Sequence, residues 1–415
     1  MGCRAASGEA HQVAEGSSVT QLDRRQALKL FASMGAAAVG GPALAACDSS
    51  TTGNSAANLS PVKIGVIQPQ SGVFKPDGNE LGYGFKLYLK RNGGKLGGRV
   101  ANVVYVDEGD SPTSGKAALD TLIKKENVLA ISGVISSAVM TAIRDTVEEA
   151  QIPLIGSNAS PSTLQGVKYI WRTSWSSQDP GRALGKYVAE FAKGGRVATM
   201  APSYAAGQDF VGGFKETFTA ANGNPDLLQV WTKFAPPQLD FTAELSQIAS
   251  SGVKAVFCFY PASFAIEFVK QYRKQSLKQQ LFACGFLTEG EPLRTEGRDA
   301  LGILTAMNYS ADLDNQANQL FAAEFHKEYN QAPTTFAMAA YDAAYVLDKA
   351  IGLAGNDLTP QRLNLMIGRV GQIPSPRGPW EFTQNRTPLQ KWYLRKVDLD
   401  GPVLSNVVLS ELVTL

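Results

Sequence analysis

Residues 127–161, NVLAISGVISSAVMTAIRDTVEEAQIPLIGSNASP, are the stretch that decides the fold. Its first part, NVLAISGV, is apolar and has a glycine near its end, which is typical of a buried strand. Val139, Ile143 and Val147 then recur at a spacing of four and predict one face of a helix. Residues 152–155 predict a second short strand. The stretch therefore predicts a βαβ unit with two parallel strands.

Polar residues follow each of these two predicted strands. Ser136 or Ser137 stands where a helix N-cap belongs, and Ser157, Asn158 and Ser160 cluster after the second strand. Because the strands of a βαβ unit end at the same edge of the sheet, we expect these hydroxyls and nearby backbone N–H groups to meet. With the partial positive charge of the helix N-terminus, they predict a site for a carboxylate or another small anion. The alternative is that Ser137 only caps its helix and Ser160 only forms a turn.

The first 46 residues have the pattern of an export signal. Arg24 and Arg25 precede an apolar run that reaches Cys47, as in twin-arginine signals. The run is short and rich in Gly and Ala for a transmembrane helix, although an uncleaved anchor helix is the alternative. Small residues before Cys47 resemble the lipobox of bacterial lipoproteins, which implies cleavage there and lipidation of the thiol. Residues 47–60 are mostly small and polar and predict a flexible tether.

Composition narrows the function classes. The 369 residues that follow position 46 (415 − 46) suffice for two domains. The chain has a net charge of only +2 and shows no basic patch of the kind that nucleic acid requires. Cys258 and Cys284 are the only cysteines after Cys47, and neither has metal-ligand spacing. They predict two buried, unpaired thiols, with a disulfide as the alternative outside the cytoplasm.

Beyond the tether, predicted strands and helices alternate in two series. The first series begins with a strand at 62–67, and the second begins after Pro180. Such alternation predicts the α/β class, with parallel sheets covered by helices in two similar lobes. The later predicted elements are helices at 316–329, 337–353 and 360–367 and a closing pair of strands at 380–382 and 392–397.

Four stretches of this chain carry a family resemblance. They are KIGVIQPQSG at 63–72, the stretch 127–161, SYAAGQDFVGGF at 203–214, and RGPWEF at 377–382 preceded by YDAA at 341–344. In their order and spacing the chain resembles the type I periplasmic binding proteins of the branched-chain amino acid type, which serve ABC importers. The resemblance covers nearly all of residues 61–400.

The resemblance implies two Rossmann-like lobes, joined by three crossover segments, with a cleft that closes on the ligand. The crossovers are expected near residues 173–175, 305–308 and 377–379. The amino-terminal lobe is expected to comprise 61–174 and 308–377, and the carboxyl-terminal lobe 175–307 and 378–415.

The resemblance also implies which residues bind the ligand. Hydroxyl and backbone groups of Ser137, Ala159 and Ser160, beside Ser136, would hold a carboxylate. Aromatic side chains would form the walls, and these are Phe74, Tyr204, Tyr260 and Trp175. The alternative for each aromatic residue is ordinary packing in the core or at the rim.

One position departs from the pattern of the amino acid binders. They pair the ligand ammonium with an acid after the strand that ends near Gly285, where this chain has Gly285 or Leu287. Glu289 would reach the position only if the loop is longer. A buried ammonium without a partner is costly. RTSW at 172–175, DLDN at 312–315 and RGPWEF resemble a branch that takes up aromatic acids. We therefore expect either an amino acid or an aromatic or aliphatic acid.

These features predict a solute-binding lipoprotein on the outer face of the cytoplasmic membrane or in the periplasm. Its expected partners are the carboxylate ligand and the permease and ATPase subunits of an ABC importer, and we expect a monomer without cofactor or metal. One alternative is a ligand-sensing receptor ectodomain of the same fold. Another is an α/β hydrolase, but the chain has no Gly-x-Ser-x-Gly elbow. The one histidine after Cys47, His326, is predicted to lie on a helix surface.

Overall fold

Two β-sheets organise the computed structural model, which describes residues 59–234 and 239–415. The strands of the first sheet are β1 (Val62–Gln68), β2 (Lys95–Leu96), β3 (Arg99–Asp107), β4 (Ala130–Gly133), β5 (Leu154–Gly156) and β6 (Ile170–Arg172). Their order is β2-β3-β1-β4-β5-β6. All pairs are parallel except β2 with β3, so β1, β4 and β5 end side by side at one edge.

The second sheet follows in the chain. Its strands are β7 (Val197–Pro202), β8 (Leu228–Thr232), β9 (Ala255–Cys258), β10 (Gln280–Cys284), β11 (Leu304–Met307), β12 (Lys391–Asp400) and β13 (Val403–Thr414). Their order is β13-β12-β11-β10-β9-β7-β8, and the pairs that involve β12 are antiparallel. The two mainly parallel sheets confirm the predicted α/β class with two lobes.

Helices connect and cover these strands. They are α1 (Lys75–Arg91), α2 (Pro112–Asp120), α3 (Ser137–Ala150), α4 (Asp179–Ala192), α5 (Ala205–Ala220), α6 (Thr242–Ser250), α7 (Ala262–Lys274), α8 (Glu291–Glu296), α9 (Gln316–Tyr329), α10 (Thr335–Ala354) and α11 (Pro360–Ile367). We call the first sheet with the helices packed on it the N-lobe, and the second sheet with its helices the C-lobe.

The predicted βαβ unit is present as β4, α3 and β5. Ile131 lies opposite Leu154 in a parallel pairing, and the three apolar residues of the helix face are fully buried. These residues are Val139, Ile143 and Val147. The hydrophobic period of the sequence therefore predicted this unit correctly.

Helix α10 packs along α1 of the N-lobe, although it follows the strands of the C-lobe in sequence. Gly84 permits this approach, because a Cβ atom at that position would lie 1.9 Å from the carbonyl oxygen of Ala337. The expected return of the chain to the N-lobe agrees with this contact. The residue limits given above for the two lobes stay a prediction.

A buried polar network lies where the chain is expected to cross between the lobes. Gln390 Oε1 accepts hydrogen bonds from Asn308 Nδ2 (2.8 Å) and from Arg377, and Gln390 Nε2 donates to Ser174 O at 2.7 Å. Arg377 also forms a buried ion pair with Asp342 at 2.7 Å. One side chain thus connects residues of all three expected crossovers.

The carboxyl-terminal end differs from the prediction. Residues 380–382 form only isolated bridges, Ile373 with Trp380 and Phe382 with Pro388. Strand β12 pairs with β11 and with β13, and the sequence reasoning left β13 unassigned. The turn between β12 and β13 contains Gly401 at a φ of 60°, a conformation that glycine adopts readily.

Cys258 and Cys284 are buried and free. Cys258 lies opposite Ala283 on the neighbouring strand, so Cys284 faces the other side of the sheet. The structure therefore has the unpaired thiols and not the disulfide.

The predicted signal peptide (1–46), Cys47 and the tether up to residue 58 lie outside the described residues. In the part of the chain that the structure describes, no helix is both long and apolar enough to cross a membrane.

Candidate functional site

The candidate site is a cavity at the edge of the first sheet where β1, β4 and β5 end. The loops after these three strands form its N-lobe side. The C-lobe faces them with residues before and within α5 and after β9, so the cavity lies between the lobes. Its empty volume, which includes space open to solvent, is about 450 Å³.

The N-terminus of α3 forms the polar end of the cavity. Ser136 is the N-cap, and its Oγ accepts a hydrogen bond from Val139 N at 3.4 Å. Ser137 also lines the cavity, and its hydroxyl makes no hydrogen bond to another described residue. The backbone N–H groups of Ser137 and Ala138 likewise have no acceptor within the described residues. Free donors at a helix N-terminus are suited to a carboxylate.

Two other backbone N–H groups at this end of the cavity donate hydrogen bonds to a side chain of the protein itself. Glu108 is fully buried, and its carboxyl accepts hydrogen bonds from Ile135 N (2.8 Å) and Ser136 N (2.6 Å). Burial raises the pKa of Glu108 to about 8, while these two hydrogen bonds act in the opposite direction. The sequence reasoning missed Glu108; the only indication in the sequence is that an acidic residue directly follows β3. Through its two hydrogen bonds, Glu108 holds the loop that carries Ser136 and Ser137.

The backbone before this loop is strained. Val134 has a φ of 68°, which is rare for a β-branched residue. It is held there because Val134 N donates to Ile67 O at 2.9 Å and Val134 O accepts from Ala159 N at 3.0 Å. Strain of this kind is concentrated at ligand sites, where the surrounding structure enforces it.

The loop after β5 differs in part from the expectation. Ala159 lines the cavity, but its N–H is bonded to Val134 O and is not free for a ligand. Ser160 is buried beside the cavity and is not part of its lining; its carbonyl accepts from Ser177 N at 3.0 Å. Asn158 and Ser177, which were not predicted, do line the cavity. Asn158 Nδ2 donates to Ile135 O at 2.8 Å, and its buried Oδ1 has no partner among the described residues.

Aromatic rings form the walls. Of the predicted residues, Phe74, Trp175 and Tyr204 line the cavity. The structure adds four phenylalanines that sequence reasoning missed, namely Phe210, Phe259, Phe286 and Phe336. They form one connected group around Phe286, whose ring centroid lies 5.6 Å from that of Phe210, 5.8 Å from that of Phe259 and 6.0 Å from that of Phe336. This side of the cavity is suited to an apolar or aromatic body.

Tyr260 is not part of this wall. It is fully buried in the C-lobe core, where its hydroxyl lies 3.2 Å from that of Thr232 and its ring stacks on Phe268 at 4.5 Å. Neighbouring residues at the end of a strand face opposite sides, so Phe259 faces the cavity when Tyr260 faces the core. The residue that lines the cavity is thus Phe259, one position before the predicted Tyr260.

Glu289 also lies outside the cavity lining. Its carboxylate forms a buried ion pair with Arg395 at 2.8 Å and accepts a hydrogen bond from Thr335 N at 2.8 Å. Because its charge is compensated there, Glu289 is not placed to meet a ligand ammonium.

Asp77, in the first turn of α1, is the acid that does line the cavity. It is 5% exposed, and burial together with the nearby carboxyls of Glu80, Glu291 and Glu289 raises its pKa well above the usual value. No Lys, Arg or His lines the cavity within the described residues. In the same part of the chain, no group of His, Cys, Asp and Glu side chains could hold a metal ion.

Comparison with protein families gives a match that covers most of the chain. The model of a family described as periplasmic binding protein matches residues 61–402. The Leu/Ile/Val-binding protein homolog 6 of Brucella suis biovar 1 (strain 1330) is 30% identical over 353 residues, which cover 83% of this chain and 89% of that protein.

Solved structures with the same architecture include two with aromatic acids bound. A solute-binding protein of an ABC transporter from R. palustris, in complex with benzoate, superposes with a TM-score of 0.79 at 32% identity and covers 85% of this chain and 97% of its own. A solute-binding protein from Rhodopseudomonas palustris BisB5, in complex with 3,4-dihydroxybenzoic acid, gives a TM-score of 0.79 at 28% identity with the same coverage, 85% and 97%.

Proposed function

The chain belongs to the periplasmic binding protein family, and we propose that it captures a small carboxylate-bearing solute in the cavity between its lobes. The matched family is one of binding proteins, and the R. palustris structure with benzoate is a solute-binding protein of an ABC transporter, so the hydrolase alternative is not supported. The proposed role is delivery of the captured solute to the permease and ATPase subunits of an importer.

One observation carries this proposal: the cavity joins free anion donors to aromatic walls. The donors are the hydroxyl and N–H of Ser137 at the start of α3, and the walls include Tyr204, Phe259 and Phe286. Oriented N–H and O–H groups at a helix N-terminus can hold a carboxylate without a cationic side chain. The ligand expected from this arrangement has one carboxylate and an apolar body of about one ring.

We favour an aromatic or aliphatic acid over an amino acid. Glu289, the acid that the sequence offered as an ammonium partner, is held by Arg395. The two R. palustris proteins with benzoate and 3,4-dihydroxybenzoic acid support the same ligand class. A branched-chain or other hydrophobic amino acid is the second candidate. It is favoured by the Leu/Ile/Val-binding relative and by Asn158 Oδ1, a buried acceptor beside the carboxylate donors that could bind an ammonium.

Export and anchoring complete the proposal. Periplasmic binding proteins act outside the cytoplasm, and the sequence of residues 1–46 favours the twin-arginine route. We infer lipidation of Cys47, with residues 47–60 as the tether between the membrane and the lobes, and a monomeric binding protein.

A thermal-shift panel tests the proposed ligand class. Benzoate, phenylacetate, 4-methylpentanoate, leucine and phenylalanine would each be added to the purified protein, with glucose and spermidine as controls. A ligand stabilises the folded state in proportion to the logarithm of its concentration over Kd, so an authentic ligand raises the Tm well above the other compounds. We expect acids without an amino group to give the largest shift. A shift with glucose or spermidine alone would refute the carboxylate site.

A further inference from the structure

Asp77 is a buried acid that faces the ligand cavity without a partner. It lies in the first turn of α1, is 5% exposed, and lines the cavity together with Phe74. Within the described residues, its carboxyl forms neither an ion pair nor a hydrogen bond. A buried polar group of this kind is costly unless something binds it.

The charged groups around Asp77 favour its neutral form. Three acidic side chains approach it from its own helix, from the loop after β10 and from α8: Glu80, Glu289 and Glu291. The nearby cations are engaged elsewhere, since Arg294 pairs with Glu80 at 3.2 Å and Arg395 with Glu289 at 2.8 Å. Burial and the three carboxyls together hold the pKa of Asp77 well above its usual value. A neutral carboxyl can both donate and accept a hydrogen bond.

The sheet order separates Asp77 from the carboxylate donors. Asp77 follows β1, Ser137 follows β4 and Asn158 follows β5, and these strands are consecutive in the sheet. On its other side, Asp77 borders a second cavity lined by Pro76, Ile266 and Glu291. Asp77 and the carboxylate donors therefore line the same cavity from segments that follow different strands, so a ligand that reaches both needs a polar group at each end.

We propose that Asp77 is a specificity-determining residue that hydrogen-bonds a hydroxyl group at the end of the ligand opposite its carboxylate. The proposal rests on the proposed function and narrows it to hydroxylated aromatic acids. A ligand ammonium is adjacent to its carboxylate and would therefore be bound near Ser137 and Asn158, not at Asp77. A ligand without the hydroxyl leaves the buried carboxyl of Asp77 unpaired, which weakens its binding.

Calorimetric titration with matched ligands tests this assignment. Benzoate, 4-fluorobenzoate, 3-hydroxybenzoate and 4-hydroxybenzoate would be titrated into the wild-type protein and into Asp77→Leu, Asp77→Asn and Glu291→Gln. We expect the wild type to bind one of the hydroxy acids about tenfold more tightly than benzoate and 4-fluorobenzoate. Asp77→Leu should lose this preference while it retains or improves benzoate binding.

The other two variants are controls for charge and fold. Asp77→Asn keeps a neutral group that donates and accepts, so the preference for the hydroxy acid should persist. Glu291→Gln removes a neighbouring charge without changing the lining of the ligand cavity, so its selectivity should remain that of the wild type. If Asp77→Leu fails to fold, the preference of the wild type for a hydroxy acid over benzoate and 4-fluorobenzoate still tests the assignment.

Two results would overturn the assignment while they leave the proposed function intact. In the first, the wild type binds benzoate as tightly as it binds either hydroxy acid. In the second, Asp77→Leu weakens the binding of all four acids equally. If no carboxylate binds the wild type, the proposed function fails, and the assignment of Asp77 fails with it.

Discussion

Replacement of Ser137 by alanine should weaken ligand binding without weakening the fold. Ser137 lines the cavity, and its hydroxyl makes no hydrogen bond to another described residue, so the folded protein loses no internal hydrogen bond. A hydrogen bond to a charged group contributes about 1.5–3 kcal/mol. Its loss should therefore reduce carboxylate affinity about ten- to hundredfold.

The adjacent serine provides a matched control. Ser136 Oγ accepts from Val139 N and caps α3, while its backbone N–H is bonded to Glu108 at 2.6 Å. Loss of an N-cap side chain costs about 0.5–2 kcal/mol of stability. In a domain of this size we expect Ser136→Ala to lower the Tm by about 1–3 °C, with a smaller effect on affinity than Ser137→Ala.

Calorimetry with benzoate, or with the ligand that the thermal-shift panel identifies, measures the first effect, and thermal unfolding of the ligand-free protein measures the second. The reasoning would be refuted if Ser137→Ala changed affinity less than threefold, or if it lowered the Tm of the ligand-free protein as much as Ser136→Ala does. Either result would mean that the hydroxyl of Ser137 acts within the protein and not on the ligand.

Three further predictions address closure, anchoring and pH. Because residues of both lobes line the cavity, solution scattering should show a smaller radius of gyration at saturation, and an unchanged radius would count against a closing cleft. Cys47→Ser should release the protein from the membrane fraction with unchanged affinity; retention in membranes would contradict lipidation at that position. Burial raises the pKa of Glu296 from 4.5 to about 8, and neither carboxyl oxygen has a hydrogen-bond partner among the described residues. The folded state therefore keeps a proton that the unfolded state releases, so stability should fall as the pH rises from about 5 to 8. Glu296→Gln should flatten this decline, and an equally steep Tm profile for the variant would refute the assignment.

The local hydrophobic period was sufficient to predict the arrangement of the βαβ unit on the N-lobe side of the cavity. Val139, Ile143 and Val147 determine which face of α3 is buried, and the burial of that face places Ser136 and Ser137 at the edge of the sheet. Parallel strands joined by a crossover must end at the same edge. The meeting of the loops after β4 and β5 therefore followed from sequence spacing alone.

The C-lobe side depends on contacts that spacing does not reveal. A shift of one residue at the end of β9 decides whether Phe259 or Tyr260 faces the cavity, and the sequence there is aromatic at both positions. Glu289 illustrates a second limit, because its role depends on Arg395, which is 106 positions away in the chain. The charge of a buried carboxylate is decided by such distant partners, and a single sequence does not show them.

The division of the site between the lobes links affinity to closure. The carboxylate donors belong to the N-lobe, whereas Tyr204, Phe259 and Phe286 belong to the C-lobe, so a ligand contacts both sets only when the lobes are together. In this structure the lobes already meet beside the cavity, where Ser162 N donates to Asp209 Oδ2 at 2.9 Å. A ligand shifts such an equilibrium only by its difference in affinity for the two states. A carboxylic acid that binds at the polar end but does not contact the aromatic walls should therefore bind weakly and favour the closed state only slightly. Selection among carboxylates then depends on the residues of the C-lobe.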